Sequence, residues 1–212
     1  MINISFPGRA GGNMKKLLIC GDSFAADWQI KYPQGQGWCN LITRYYNVTN
    51  SAQAGCSEYR IYQQLIHQNL GNFDCLVIWH TSPNRIYTPK HPVHFNDPLH
   101  KNADLIYADL KHHAESNSKL NSIIDFFENY YDLDYACFIH NLILKEIDQY
   151  LEKYTNLKIL HINNLNSDSC YQNHAHLNFE KLFESNQGKY NHFDDKANLL
   201  VCEKIVQKLD NM

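Results

Sequence analysis

Two side chains in this sequence are of the types, and in the local settings, that acyl chemistry needs. Ser23 follows the apolar run Leu17-Leu18-Ile19-Cys20 after Gly21 and Asp22, and His192 stands 20 residues from the C-terminus, just before an amphipathic segment. A serine hydroxyl is a weak nucleophile near neutral pH, so a neutral imidazole must accept its proton. The imidazolium then returns that proton to the leaving group. A carboxylate partner would fix the ring's tautomer and stabilise its charge. Backbone N–H groups in the turn after a strand can hold an oxyanion. Either residue alone has a plainer explanation. A serine after a strand is commonly a helix N-cap, and a lone histidine before a helix commonly serves structure. The pair carries the reading.

The elements that must bring the two together alternate between strand and helix. Lys15 to Cys20 reads as a buried strand ending at Gly21. Residues 35–46 read as a helix after a Gly-rich turn, and Asn47 to Ser51 as a short second strand. Ser57 is placed to cap a helix that carries Tyr62, Leu65, Ile66 and Leu70 at helical spacing. Asp74 to Thr81 is apolar on both faces, as a central parallel strand requires. Ser82 to Asn102 contains Pro83, Pro89, Pro92 and Pro98 and is expected to lack regular structure. Helical patterns resume at Ala103 and run with breaks to Tyr154, the best of them over Tyr135 to Tyr150. Lys158 to Ile162 reads as a strand, Asn163 to Asn191 as polar and irregular, and Asp194 to Leu209 as a closing amphipathic helix.

This alternation predicts an α/β fold of three layers, α/β/α, around a parallel sheet of about five strands. Ligands of such sheets bind beyond the carboxyl ends of the strands, where Ser23, Gly55 and the Thr81 to Arg85 turn fall. Residues 1–14 are expected to be a disordered leader. Residues 15–212 then form one domain with an inserted loop and helical region at about 82–132.

Composition narrows the function. The chain has 212 residues, 44% of them hydrophobic and 19% charged, with a net charge of -3, so no global basic field draws it to nucleic acid. No apolar run approaches the roughly 20 residues of a membrane span, and the N-terminus lacks the apolar stretch of a secretory signal. Seven cysteines without a CxxC pair argue against a zinc ribbon or a thioredoxin-like site. Several lie in apolar runs, which suits a reducing compartment and a cytoplasmic protein. Of twelve histidines, His91, His94 and His100 share one segment and His174 and His176 another, but no HExxH occurs. No metal and no cofactor is expected. The oligomeric state is left open.

The run Leu18-Ile19-Cys20-Gly21-Asp22-Ser23 resembles the first block of SGNH/GDSL hydrolases, a flavodoxin-like family in which that serine is the nucleophile. Asn50-Ser51-Ala52-Gln53-Ala54-Gly55 is similar to the second block and implies an oxyanion role for the Gly55 N–H. The third block is altered: after the Asp74 to Trp79 strand the turn reads His80-Thr81-Ser82-Pro83-Asn84-Arg85. Asn84 takes the oxyanion place if the loop is two residues longer, and Ser82 if it is not. In the last block His192 has the family context, but Lys189 stands where the family has its aspartate. The acid role could then pass to a backbone carbonyl, to Asp194, Asp195 or Asp168, or be absent.

The resemblance implies a serine-dependent ester hydrolase acting on a small or carbohydrate-linked acyl ester. Ser23 and His192 are its catalytic pair, and Ser23, Gly55 and Asn84 its oxyanion hole. Trp38, Tyr59, Trp79 and Tyr87 are candidates for stacking on sugar faces, with Trp79 also suited to the core. The other readings are a sugar O-acyltransferase using the same residues, a non-catalytic scaffold of this fold that binds a glycan or a protein, and a zinc enzyme built on the histidines.

Overall fold

The computed structural model describes residues 14–163 and 175–212. In chain order the elements are β1 (Lys16–Gly21), α1 (Trp38–Leu41), β2 (Asn47–Asn50), α2 (Glu58–Ile66), β3 (Cys75–Trp79), β4 (Arg85–Ile86), β5 (Leu105–Ile106) and α3 (Tyr107–Ala114). They continue with α4 (Asn121–Asn129), α5 (Leu133–Leu151), β6 (Lys158–Asn163), β7 (Ala175–Asn178), α6 (Glu180–Ser185), β8 (Gln187–Tyr190) and α7 (Asp195–Asp210). Five strands form one parallel sheet in the order β2-β1-β3-β6-β7. Helices cover both faces, which makes the three-layer α/β/α architecture expected from the alternation.

The two faces follow from the two-residue period of a strand. Leu17 and Ile19 of β1, Val77 and Trp79 of β3, and Leu160 and Ile162 of β6 pack against Trp38 of α1 and Val201, Ile205 and Leu209 of α7. The intervening residues Leu18, Cys20, Leu76, Ile78 and Ile159 pack against Ile61 and Leu65 of α2 and Ile147 and Leu151 of α5. A separate apolar cluster lies inside the 82–132 region, where Leu110, Leu120 and Phe127 gather Ile86, Leu105 and Tyr131.

Several elements differ from the sequence reading. The helix expected over 35–46 is only the four residues of α1, followed by a 3-10 turn at Ile42–Arg44. The Thr43 hydroxyl donates to the Asn40 carbonyl at 2.7 Å, a local bond that competes with helix propagation. Within the proline-rich segment, Arg85–Ile86 pairs antiparallel with Leu105–Ile106. The polar stretch near the C-terminus holds β7, α6 and β8. Its β7 is an edge strand with Ala175 and Leu177 half-buried and the residues between them exposed, so little apolar signal marks it. The expected leader, apart from Met14, lies outside the described residues, as do Asp168, Cys170 and His174. No helix among the described residues is long and apolar enough to cross a membrane.

Candidate active site

Ser23 sits in a tight turn at the carboxyl end of β1. Gly21 has φ +154°, and a Cβ there would lie 2.8 Å from Cβ and O of Trp79, so only glycine fits. The buried amide of Gln64 closes the ladder at this point, accepting from Gly21 N at 2.8 Å and donating to Gly21 O at 3.1 Å. The Asp22 carbonyl accepts from the N–H groups of Ala25 and Ala26 at 3.0 and 2.9 Å. Its fully buried carboxylate accepts from Phe24 N at 2.9 Å and the Thr81 hydroxyl at 2.9 Å, and pairs with Arg85 at 3.1 Å. The Asp22 oxygens behind the serine are thereby all occupied, and Ser23 itself borders a cavity.

His192 approaches from the other end of the chain, and its Nε2 lies 2.7 Å from Ser23 Oγ. Asn191 and His192 both adopt left-handed backbone, φ 50° and 63°. That conformation costs about 1–2 kcal/mol per non-glycine residue and must be offset by contacts. The fully buried Asn191 amide donates to the carbonyls of Phe24 and Ala26, both at 2.9 Å, which binds the histidine loop to the serine turn. Asn198 of α7 supports the same loop, donating to Tyr190 O at 3.0 Å and Phe193 O at 3.1 Å, while its Oδ1 accepts from Trp38 N at 2.9 Å. The ring of Phe24 lies 4.4 Å from that of His192, centroid to centroid.

Burial lowers the pKa of His192 below the ordinary histidine value; the Asp22 carboxylate opposes this, while Arg85 and His100 reinforce it. The imidazole is therefore neutral at pH 7, the form that can take a proton. Among the described residues no carboxylate hydrogen-bonds its Nδ1. Asp194 instead caps α7, accepting from Ala197 N at 2.7 Å, and Asp195 is exposed. Lys189 lies over the Tyr32 ring at 4.4 Å. Neither nearby aspartate takes the acid role left open by the sequence, because helix geometry commits one to the cap and turns the other to solvent.

Ser23, Gly55, Asn84 and His192 all border one cavity of about 570 Å³. Gly55 has φ +78° and a Cβ there would meet Ala103 Cβ at 2.8 Å, so the turn needs glycine. Ser82 donates to Asn84 Oδ1 at 2.6 Å, which occupies the carbonyl of that amide and leaves its NH2 to donate. Ser82 borders the cavity too. Trp38 and Trp79 do not: they are 0% and 2% exposed and stack on each other in the core at 5.7 Å. Tyr59 and Tyr87 line a different cavity, described below. Burial pushes up the thiols of Cys20, Cys39 and Cys56, so none of these is poised as a nucleophile.

The histidines of the proline-rich segment gather around one carboxylate. His91, His94 and Asp109 bring potential ligand atoms within 4.8 Å of one another. His94 lies 3.1 Å from Asp109, and His91 Nε2 lies 3.6 Å from it. His91 Nδ1, however, accepts from the N–H groups of Val93 and His94 at 3.2 and 3.1 Å. A neutral ring with an accepting Nδ1 carries its proton on Nε2. In this rotamer His91 therefore points a donor, not a lone pair, into the cluster, which is not how a zinc ligand is presented.

Sequence reasoning missed Asn191, Asn198, Gln64 and Arg85, because each acts across a long stretch of chain. Asn191 left one signal: asparagine is among the few residues that tolerate left-handed backbone. A buried chain of Glu58, His80 and His161 was also not foreseen, with Glu58 to His80 at 2.7 Å and His80 to His161 at 2.8 Å.

No family model and no curated protein matches the chain. Among solved structures, one resembling it is from Desulfitobacterium hafniense DCB-2, a protein assigned to the G-D-S-L lipolytic family. It has 12% identity and TM-score 0.49, over 89% of this chain and 96% of that one. A gut microbial diltiazem-metabolizing enzyme has 8% identity and TM-score 0.46, over 93% of this chain and 47% of its own. At these scores neither likeness bears on the chemistry of this chain.

Proposed function

We propose that this protein is a serine-dependent carboxylic ester hydrolase. The observation that carries the reading is the 2.7 Å contact between His192 Nε2 and Ser23 Oγ at a cavity wall. His192 takes the Ser23 proton as Oγ attacks the ester carbonyl, and a tetrahedral intermediate forms. Its oxyanion is held by the N–H groups of Ser23 and Gly55 and the side-chain amide of Asn84. His192 then protonates the leaving alkoxide, and water repeats the sequence on the acyl-enzyme. The pair works as a dyad: backbone conformation, the Asn191 amide and the Phe24 ring orient the imidazole in place of a carboxylate. Substrates are expected among small or carbohydrate-linked acyl esters.

The test is covalent labelling by a fluorophosphonate, with mass spectrometry to locate the adduct. Labelling at Ser23, lost in His192→Ala, is the expected result. Turnover of an aryl acetate should fall by about 10³-fold or more in both Ser23→Ala and His192→Ala, since members of such a unit fail together. Near-normal turnover in either variant ends the assignment, and absent labelling favours a non-catalytic binding scaffold. Product analysis with an added sugar acceptor separates hydrolysis from acyl transfer.

A further inference from the structure

A second cavity of about 610 Å³ adjoins the first: Ser82 and Arg85 belong to the walls of both. This volume lies within the range that buries small ligands. It is formed where the 82–132 region meets α2 and α5. Its walls are strongly aromatic, with Tyr59, Tyr87, Phe126, Tyr130 and Tyr135 contributing alongside Ile139. All five rings are left partly in solvent, from 39% exposed at Tyr59 and Tyr87 to 73% at Tyr130. Covering such apolar surface is favourable.

The charged groups lining this cavity are already committed. Glu58 accepts from His80 at 2.7 Å through one oxygen and from Thr81 N at 3.0 Å through the other. Arg85 donates to Cys56 O at 2.8 Å and pairs with Asp22 at 3.1 Å. Asp132 caps α5 through Tyr135 N at 2.9 Å. Burial lowers the pKa of His140, so that ring is neutral at pH 7. A charged guest would lose its hydration here without a free counter-charge to meet it, whereas an apolar guest gives up little.

We propose that this aromatic cavity holds the larger apolar portion of the substrate. That portion reaches it from Ser23 across the turn of Ser82 and Arg85, so the preferred esters carry an extended alkyl or aryl group. The assignment rests on the esterase reading for its catalytic consequence, but the cavity can be probed without turnover.

The experiment compares wild type with Ala136→Trp, which fills the cavity from α5, and with Tyr130→Ala, which opens its exposed wall. Hydrolysis of ethyl octanoate and ethyl acetate is followed by pH-stat. The ratio of kcat/KM for octanoate to that for acetate should fall about tenfold or more in Ala136→Trp. It should fall severalfold in Tyr130→Ala, a change at a solvent-facing ring that the fold tolerates. In parallel, binding of the neutral fluorophore N-phenyl-1-naphthylamine is titrated. It should bind wild type and Ser23→Ala alike and be excluded by Ala136→Trp. An unchanged ester ratio, or fluorophore binding indifferent to Ala136→Trp, overturns the proposal. If neither ester is hydrolysed while the fluorophore binds as expected, the esterase reading fails and the apolar site stands.

Discussion

At the scale of single residues, the contact between Ser23 and His192 is held by the groups packed behind it. Asn191 combines a left-handed backbone with a buried amide that donates to the Phe24 and Ala26 carbonyls at 2.9 Å each. Asn191→Ala should therefore destabilise the protein by about 2–3 kcal/mol, the cost of two lost buried hydrogen bonds and of left-handed backbone strain. It should also lower kcat more than it raises KM, because His192 loses its footing. Urea unfolding and steady-state kinetics together check this; normal kcat in a folded variant would contradict it. Arg85 acts at a distance. Its charge helps hold the pKa of His192 down against the pull of Asp22. A base with a lowered pKa stays active into mildly acidic solution, so the acid limb of kcat/KM should have its midpoint below the ordinary histidine value of about 6.5. In Arg85→Gln that midpoint should move upward. Ser23 and His192 were readable because each sits at a strand or helix boundary with a recognisable neighbourhood. Arg85 was not, since its partner Asp22 is joined to it only by the fold.

At the scale of elements, the legible parts were those whose burial leaves a periodic mark. Strands β1, β3 and β6 are apolar on both faces because helices cover both, and α7 announces itself through Val201, Ile205 and Leu209 on one face. The edge strand β7 alternates half-buried with exposed residues and reads as polar chain. The start of α7 was also legible, because Asp194 is a good N-cap and the structure uses it as one. Asp194→Ala should cost about 1 kcal/mol, with activity little changed because that carboxylate is committed to the cap. Loss of most activity at preserved stability would instead assign Asp194 to the His192 ring. Ile205→Ala, deep under the sheet, should cost about 2–5 kcal/mol, measured by chemical denaturation.

At the scale of the whole molecule, the folded state buries imidazoles in their neutral form. Burial lowers the pKa of His140 and His192, and takes His91 down to about 4. Unfolded, each would titrate near 6.5. Below that pH the unfolded chain binds more protons than the native one, so stability is full above about pH 7 and declines as pH falls toward 4. Glu58 adds to the loss at the acid end. Burial alone would raise its carboxyl, but His80 outweighs this and holds it below its usual value, so its contribution fades as it protonates. The melting temperature should drop by several degrees between pH 7.5 and pH 5; a flat profile would mean that these rings are charged or solvated in the native state.

The apolar cluster of Leu110, Leu120 and Phe127 has a consequence of its own. It gives α3 and α4 an anchor of their own, apart from the sheet at whose carboxyl end Ser23 sits. On the proposed reading, transplanting a foreign α3–α4 unit at this seam should redirect selectivity while Ser23 and His192 keep their spacing.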